Sequence, residues 1–169
     1  MNETEGSGTP LAESVSIVIA GNRNAGKSSL INAVFQKDVA IVSATPGTTT
    51  DPVTRKIELG KLGPCSVTDT AGLDDEGELG MQRVEKTKER LASADLVLFV
   101  TPQDKPVSQS ERSLLEYLEQ KKIVYIGVLT FADRTCDESK KSFFPAGKSA
   151  AICTAPGSTP DVAALLEKI

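Results

Sequence analysis

Gly21-Asn22-Arg23-Asn24-Ala25-Gly26-Lys27-Ser28 sets two glycines five residues apart and follows the second with a lysine and a hydroxyl. That spacing suits a polyphosphate. Glycines let the backbone take positive φ and approach an anion closely. Successive N–H groups and the N-terminus of a following helix then aim at the phosphate oxygens. Lys27 is expected to reach the β- and γ-phosphates and Ser28 to ligate Mg²⁺, with Asn22, Arg23, Asn24, Ala25, Gly26 and Ser29 lining the same loop. The flanks agree. An apolar run over 15–20 reads as a buried strand, and Leu30, Ile31, Val34 and Phe35 share one side of a helix over 27–35.

A magnesium site needs a second acid, and Ser-Val-Thr-Asp-Thr-Ala-Gly supplies it. Asp69 ends a strand and can hold Mg²⁺ through a water; the N–H of Gly72 can sense a γ-phosphate. Asp-x-x-Gly alone is common. About forty residues past the lysine, behind a pair of strands, it is specific. Between the two lies Thr-Pro-Gly-Thr-Thr-Thr-Asp-Pro over 45–52. A threonine here is expected to close over the γ-phosphate and give Mg²⁺ its hydroxyl. Thr49 is the choice, with Thr48 and Thr50 as rivals.

The elements that must position these residues alternate. Strands are expected over 15–20, 53–59, 65–69, 96–100, 123–129 and 150–155. Too few residues separate the second and third for a crossover helix, so that pair is antiparallel. Helices are expected over 27–35 and 81–93, after a Ser108/Glu111 capping box, irregularly over 133–143, and after Thr159-Pro160. Met81, Val84, Leu91 and Ala92 should share the inner face of the second. A dimer face from Gly80 onward is the less simple reading of that helix. The pattern predicts a three-layer α/β/α sandwich, with a mainly parallel six-stranded sheet and one antiparallel edge strand. Residues 1–14 read as a polar, flexible tail and 15–169 as one domain.

Composition excludes several classes. The chain of 169 residues has 39% hydrophobic and 25% charged residues and a net charge of −4. An acidic balance without a basic stripe argues against nucleic acid. No apolar run is long enough to span a membrane, and the first residues lack a signal peptide's basic start and apolar stretch. Cys65, Cys136 and Cys153 lie far apart, and there is no histidine. A disulfide framework or zinc site is not expected, and a reducing cytoplasm is the expected compartment.

Together the motifs resemble the TrmE/Era-like branch of P-loop GTPases, which implies a Ras-like P-loop NTPase fold binding GTP and GDP with Mg²⁺. Within that branch, Gly-Asn-Arg-Asn-Ala-Gly-Lys-Ser-Ser-Leu-Ile-Asn-Ala, the Thr-Thr-Thr-Asp-Pro-Val run and the loop Asp-Asp-Glu-Gly-Glu-Leu-Gly look like the FeFe-hydrogenase maturation GTPases, HydF. That resemblance implies a scaffold for di-iron cluster assembly whose partners are two radical-SAM maturases and the hydrogenase. It also implies further domains for dimerisation and an iron–sulfur cluster, so this chain would be the GTPase domain alone. Other readings within the branch are a GTP switch acting on RNA or ribosome, and a nucleotide-binding domain with little turnover.

Two places depart from the common GTPase pattern, and the loop residues bear on the first of them. Leu73 stands where Ras-like enzymes carry a water-orienting Gln, and leucine cannot polarise water. In potassium-activated relatives an asparagine at the place of Asn24 helps hold K⁺; here it could instead brace the loop. Arg23 reads as an exposed loop residue or a finger in cis. Asp74, Asp75, Glu76 and Glu78 form a solvated acidic loop, with Glu76 or Glu78 as candidates to position water. Finally, Thr130-Phe131-Ala132-Asp133 replaces the usual Asn-Lys-x-Asp. Asp133 can accept from guanine N1–H and the 2-amino group, or cap a helix. Phe131 can stack on the base. Thr130 is expected to be too short for the asparagine's bridge to the phosphate loop. Thr154-Ala155 stand where relatives contact guanine O6.

Overall fold

The computed structural model describes residues 14–36, 41–45, 53–59, 62–70, 72, 78–151 and 168. In chain order these form β1 (Val15–Ala20), α1 (Lys27–Gln36), β2 (Ile41–Thr45), β3 (Val53–Leu59), β4 (Gly63–Asp69), α2 (Glu78–Ala92), β5 (Leu96–Pro102), α3 (Gln109–Gln120), β6 (Tyr125–Thr130), α4 (Glu138–Lys141) and β7 (Ser149–Ala151). They build one sheet in the order β2-β3-β4-β1-β5-β6-β7. The β1–β4, β1–β5, β5–β6 and β6–β7 pairs are parallel.

The six expected strands are present, and β3 is the antiparallel one, running from Val53 opposite Asp69 to Leu59 opposite Gly63. It is not the edge. β2 pairs outside it, antiparallel, in a stretch where no strand is expected from the sequence. Val39, Ile41 and Val42 are the local signal, diluted by Ala40 and Ala44 and by the Pro46-Gly47 that follows. An edge strand needs only its neighbour's open ladder, so a weak pattern suffices.

Strand alternation divides the core. Ile17 and Ile19 point to one face, where they pack with Leu30 and Ile31 of α1 and with Val100 and Val128. Val18 and Ala20 point to the other, against Phe99, Leu91 of α2, and Leu114 and Leu118 of α3. β5 lies between these layers, and all seven of its residues are buried, as a central parallel strand requires. Phe99 and Phe144 meet edge-on with centroids 5.3 Å apart. Gly127 admits that ring: a Cβ there would lie 2.5 Å from Phe144.

Helix boundaries shift slightly. α2 starts at Glu78 rather than Met81; Thr87 and Leu91 are buried, while Ala92, expected on the inner face, is exposed. The capping box on α3 is formed: Ser108 Oγ accepts from Glu111 N at 3.3 Å, and Ser108 N donates to Glu111 Oε2 at 2.7 Å. Such a cap stabilises by about 1 kcal/mol. The irregular helix expected over 133–143 shrinks to α4. Residues 152–167, with the expected helix after Thr159, lie outside the described residues, as does Cys153.

Candidate functional site

The glycine loop joins the carboxyl end of β1 to α1 directly. It leaves the sheet beneath β5, where a Cβ on Gly21 would sit 2.2 Å from the carbonyl oxygen of Val100. Only glycine fits that approach. Asn24 and Gly26 then take left-handed conformations, with φ of 58° and 93°. Asparagine tolerates this region better than most residues. Such turns bring successive N–H groups onto one concave side, which is the anion-binding geometry. Ala25 N donates to Asn22 O, and Leu30 N to Gly26 O, closing the loop onto the first helical turn. Lys27 Nζ donates to Gly21 O at 3.0 Å and to Asn22 O at 2.7 Å, so the ammonium lies across its own loop. Arg23, Asn24, Ser28 and Ser29 are exposed; Asn22, Gly26 and Lys27 are half-buried and Ala25 is buried.

Asp69 ends β4 beside Ile19 of β1. Its Oδ1 is buried and finds no hydrogen-bond partner among the described residues. Burial pushes its carboxyl above the usual range, while the charges of Lys27 and Arg55 pull it back. A buried carboxylate oxygen that lacks a donor, on a strand end beside a cationic loop, fits a hydrated Mg²⁺. The hydroxyl of Ser28 is the same hard-oxygen chemistry. Gly72 is half-buried. Thr48 and Thr49 lie outside the described residues, as do Thr154 and Ala155.

At the end of β6 the structure corrects one expectation. Thr130 does bridge to the phosphate loop: its Oγ1 donates to Ala25 O at 2.6 Å, with Thr101 O at 3.3 Å. The short side chain suffices because Gly26 has none; a Cβ there would lie 3.2 Å from Thr130 Cγ2. Thr130 is fully buried and acts as a brace from behind. Phe131 follows with φ of 57°, unusual for an aromatic residue. The Arg134 guanidinium lies over its ring, 4.4 Å from the centroid, and pairs with Asp104 at 2.7 Å. Asp133 is exposed and is not the helix cap. That place belongs to Asp137, whose Oδ1 accepts from Ser139 N at 2.9 Å.

Sequence reasoning missed the polar groups behind the site. Gln103, buried, donates through its backbone N to Thr130 O and through Nε2 to Arg134 O at 2.6 Å. Lys140 and Glu111 form an ion pair at 2.8 Å with side chains 0% and 3% exposed. Thr101 completes it, accepting from Lys140 and donating to Glu111. Burial pushes the Glu111 carboxyl up, but hydrogen bonds from Lys140, Thr101 and the Ser108 amide hold it below the usual range. Glu111 was legible only as a capping residue. Nothing local in a sequence pairs charges on two separate helices.

The loop, Asp69 and Thr130 thus meet where β1, β4 and β6 end, and ligands of open α/β sheets bind at these carboxyl ends. Fold and loop together define a P-loop GTPase domain with Ras-like architecture. The chain belongs to the family described as 50S ribosome-binding GTPases, whose model matches residues 16–130. It is 39% identical over 121 residues to the tRNA modification GTPase MnmE of Moorella thermoacetica, covering 71% of this chain and 26% of that protein. The MnmE of Geobacter sulfurreducens is 38% identical over 120 residues, with 70% and 26% covered. The chain therefore spans about a quarter of the length of these curated relatives.

Among solved structures, the G domain of the Thermotoga maritima iron transporter FeoB superposes with a TM-score of 0.60 at 26% identity, covering 91% of this chain and 95% of that one. Aquifex aeolicus Era bound to GDP·AlF4⁻ gives a TM-score of 0.67, covering 91% of this chain and 56% of that one. At 22% identity the likeness to Era is one of fold. This is a GTP-binding GTPase domain of the TrmE/Era type. No helix among the described residues is long and apolar enough to cross a membrane.

Proposed function

We propose that residues 15–169 form the GTPase domain of a HydF-type scaffold for FeFe-hydrogenase maturation, hydrolysing GTP slowly and stimulated by K⁺. The observation that carries the enzymatic part is Asn24. It sits exposed and left-handed in the glycine loop, in a chain whose Asp-x-x-Gly is followed by Leu73 rather than a water-orienting Gln. K⁺, when bound, would set positive charge against the negative charge growing between the β- and γ-phosphates, as an arginine finger does for about 10³–10⁵ in rate. Asn24 would offer it a carbonyl oxygen. Lys27 would hold the β- and γ-phosphate oxygens, and Ser28, Thr49 and Asp69 would hold Mg²⁺. Gly72 would read the γ-phosphate.

At the other end, Asp133 would accept from guanine N1–H and the 2-amino group. Adenine lacks both donors and would leave the carboxylate unpaired. Phe131 would offer the stacking face, backed by Arg134, and the Thr154-Ala155 backbone would meet O6. The scaffold role, with radical-SAM maturases and the hydrogenase as partners and a cytoplasmic location, rests on the motif resemblance.

Phosphate release measured in KCl and in NaCl tests the enzymatic part. The wild type should be faster in KCl, and Asn24→Ala should lose that difference. Equal wild-type rates in the two salts would end the potassium proposal. A second reading, a GTP switch acting on RNA, is favoured by the names of the MnmE relatives. Retention of tRNA by the full-length protein, with no retention of the maturases, would select it.

A further inference from the structure

We propose that Ser108 and Ser110, at the start of α3, are positioning residues for GTP that act on the phosphate loop through Asn22. Both ends of the Asn22 side chain are engaged: Nδ2 donates to Ser108 Oγ at 2.9 Å, and Oδ1 accepts from Ser110 Oγ at 2.9 Å. The two hydroxyls lie 3.0 Å apart, which closes a ring of three hydrogen bonds. Ser108 Oγ also accepts from Glu111 N. With its acceptor sites occupied by two N–H groups, its proton goes to Ser110 Oγ, whose own proton goes to Asn22. Bonds directed head to tail around a ring strengthen one another.

The ring stands on a fixed base. Glu111 anchors α3 through Ser108 N and is itself locked by Lys140 and Thr101, away from solvent. The other side of Asn22 faces the chemistry: its backbone carbonyl accepts from Lys27 Nζ at 2.7 Å and from Ala25 N at 3.2 Å. One residue therefore ties the cationic end of the cradle to a helix 86 residues further along the chain. Freeing the Asn22 side chain would let its peptide turn, and Lys27 and the inward N–H groups would lose their preset aim. Preset geometry of this kind lowers the cost of ordering on binding.

The loop contacts the phosphates in ground and transition states alike, so its loosening should raise KM more than it lowers kcat. Ser110→Ala is the cleaner variant, because Ser108 is the helix cap and Ser110 is not. Ser110→Ala should raise KM for GTP about three- to tenfold, the scale of the one neutral hydrogen bond that reaches Asn22, with kcat near wild type and Tm lowered by no more than about 4 °C. Ser110→Thr keeps the hydroxyl at a position that lines a groove of about 420 Å³, and it should restore KM. Asn22→Ala/Ser110→Ala should be no worse than Asn22→Ala. A wild-type KM for Ser110→Ala would overturn the proposal. So would a KM rise that Ser110→Thr does not reverse, or single effects that multiply in the double variant. The wild-type kcat reports GTP turnover independently of any of these.

Discussion

The phosphate loop and the base loop leave neighbouring parts of one sheet, yet they are held differently. Residues 21–27 are pinned from behind by fully or largely buried groups. Val100 O excludes any side chain at Gly21, Thr130 Oγ1 holds Ala25 O, and the α3 serines hold Asn22. Residues 131–134 are held by a left-handed aromatic residue, a bond from Gln103 to the main chain, and a partly solvated ion pair between Arg134 and Asp104. Exposed ion pairs contribute about 0–1 kcal/mol. The first region therefore has one backbone solution, and the second rests on side chains that can be exchanged. The glycine motif of the cradle is intact, while the base-reading motif is altered at Thr130 and Phe131, the first of which now braces the cradle.

The largest expected effect comes from the base beneath the phosphate side. Lys140→Met leaves Glu111 buried without its cation and should cost about 3–5 kcal/mol in denaturant unfolding. Acid should do the same more gently. The folded-state pKa of Glu111 is depressed, so its stabilisation is present above the ordinary glutamate value of about 4.3 and is lost as pH falls through the folded value. Glu111→Gln should flatten that part of the stability–pH curve. If Lys140→Met costs no more than a surface substitution, the cradle does not depend on this base.

A smaller effect is expected at the brace. Thr130→Val keeps the shape but removes the hydroxyl, leaving Ala25 O without that donor, and should cost about 1–3 kcal/mol together with weaker GTP binding. Unchanged GTP affinity would show that the loop holds itself. The smallest effect, and the sharpest contrast, is at Phe131. Phe131→Gly removes a left-handed strain of about 1–2 kcal/mol along with the ring. Stability should hold or rise slightly. Affinity for GTP should fall while affinity for inorganic triphosphate stays the same. A parallel loss of both ligands would erase the distinction between the two loops.

The same contrast governs what could be read in advance. The glycine loop was legible because the backbone conformation it requires restricts residue type at Gly21 and Gly26, and the continuous apolar runs of β1 and β5 announced the sheet around it. β2 was missed because an edge strand carries little pattern of its own. The reach of Thr130 was misjudged because it depends on how closely β6 passes a residue without a side chain, which is a tertiary distance. α4 came out shorter than expected because Asp137, not Asp133, caps it. Glu111 with Lys140, and Asn22 with Ser108 and Ser110, are pairings between distant segments, and no local periodicity encodes them.

The central claim is that the cradle of inward N–H groups and the Lys27 ammonium holds the magnesium-bound tail of GTP. Calorimetric titration of wild type and Lys27→Ala with GTP and Mg²⁺ addresses it most directly. The account predicts saturable binding by the wild type and a loss of at least about tenfold in affinity for Lys27→Ala, as removal of a charged hydrogen-bond donor implies. Equal affinities for the two proteins would contradict it.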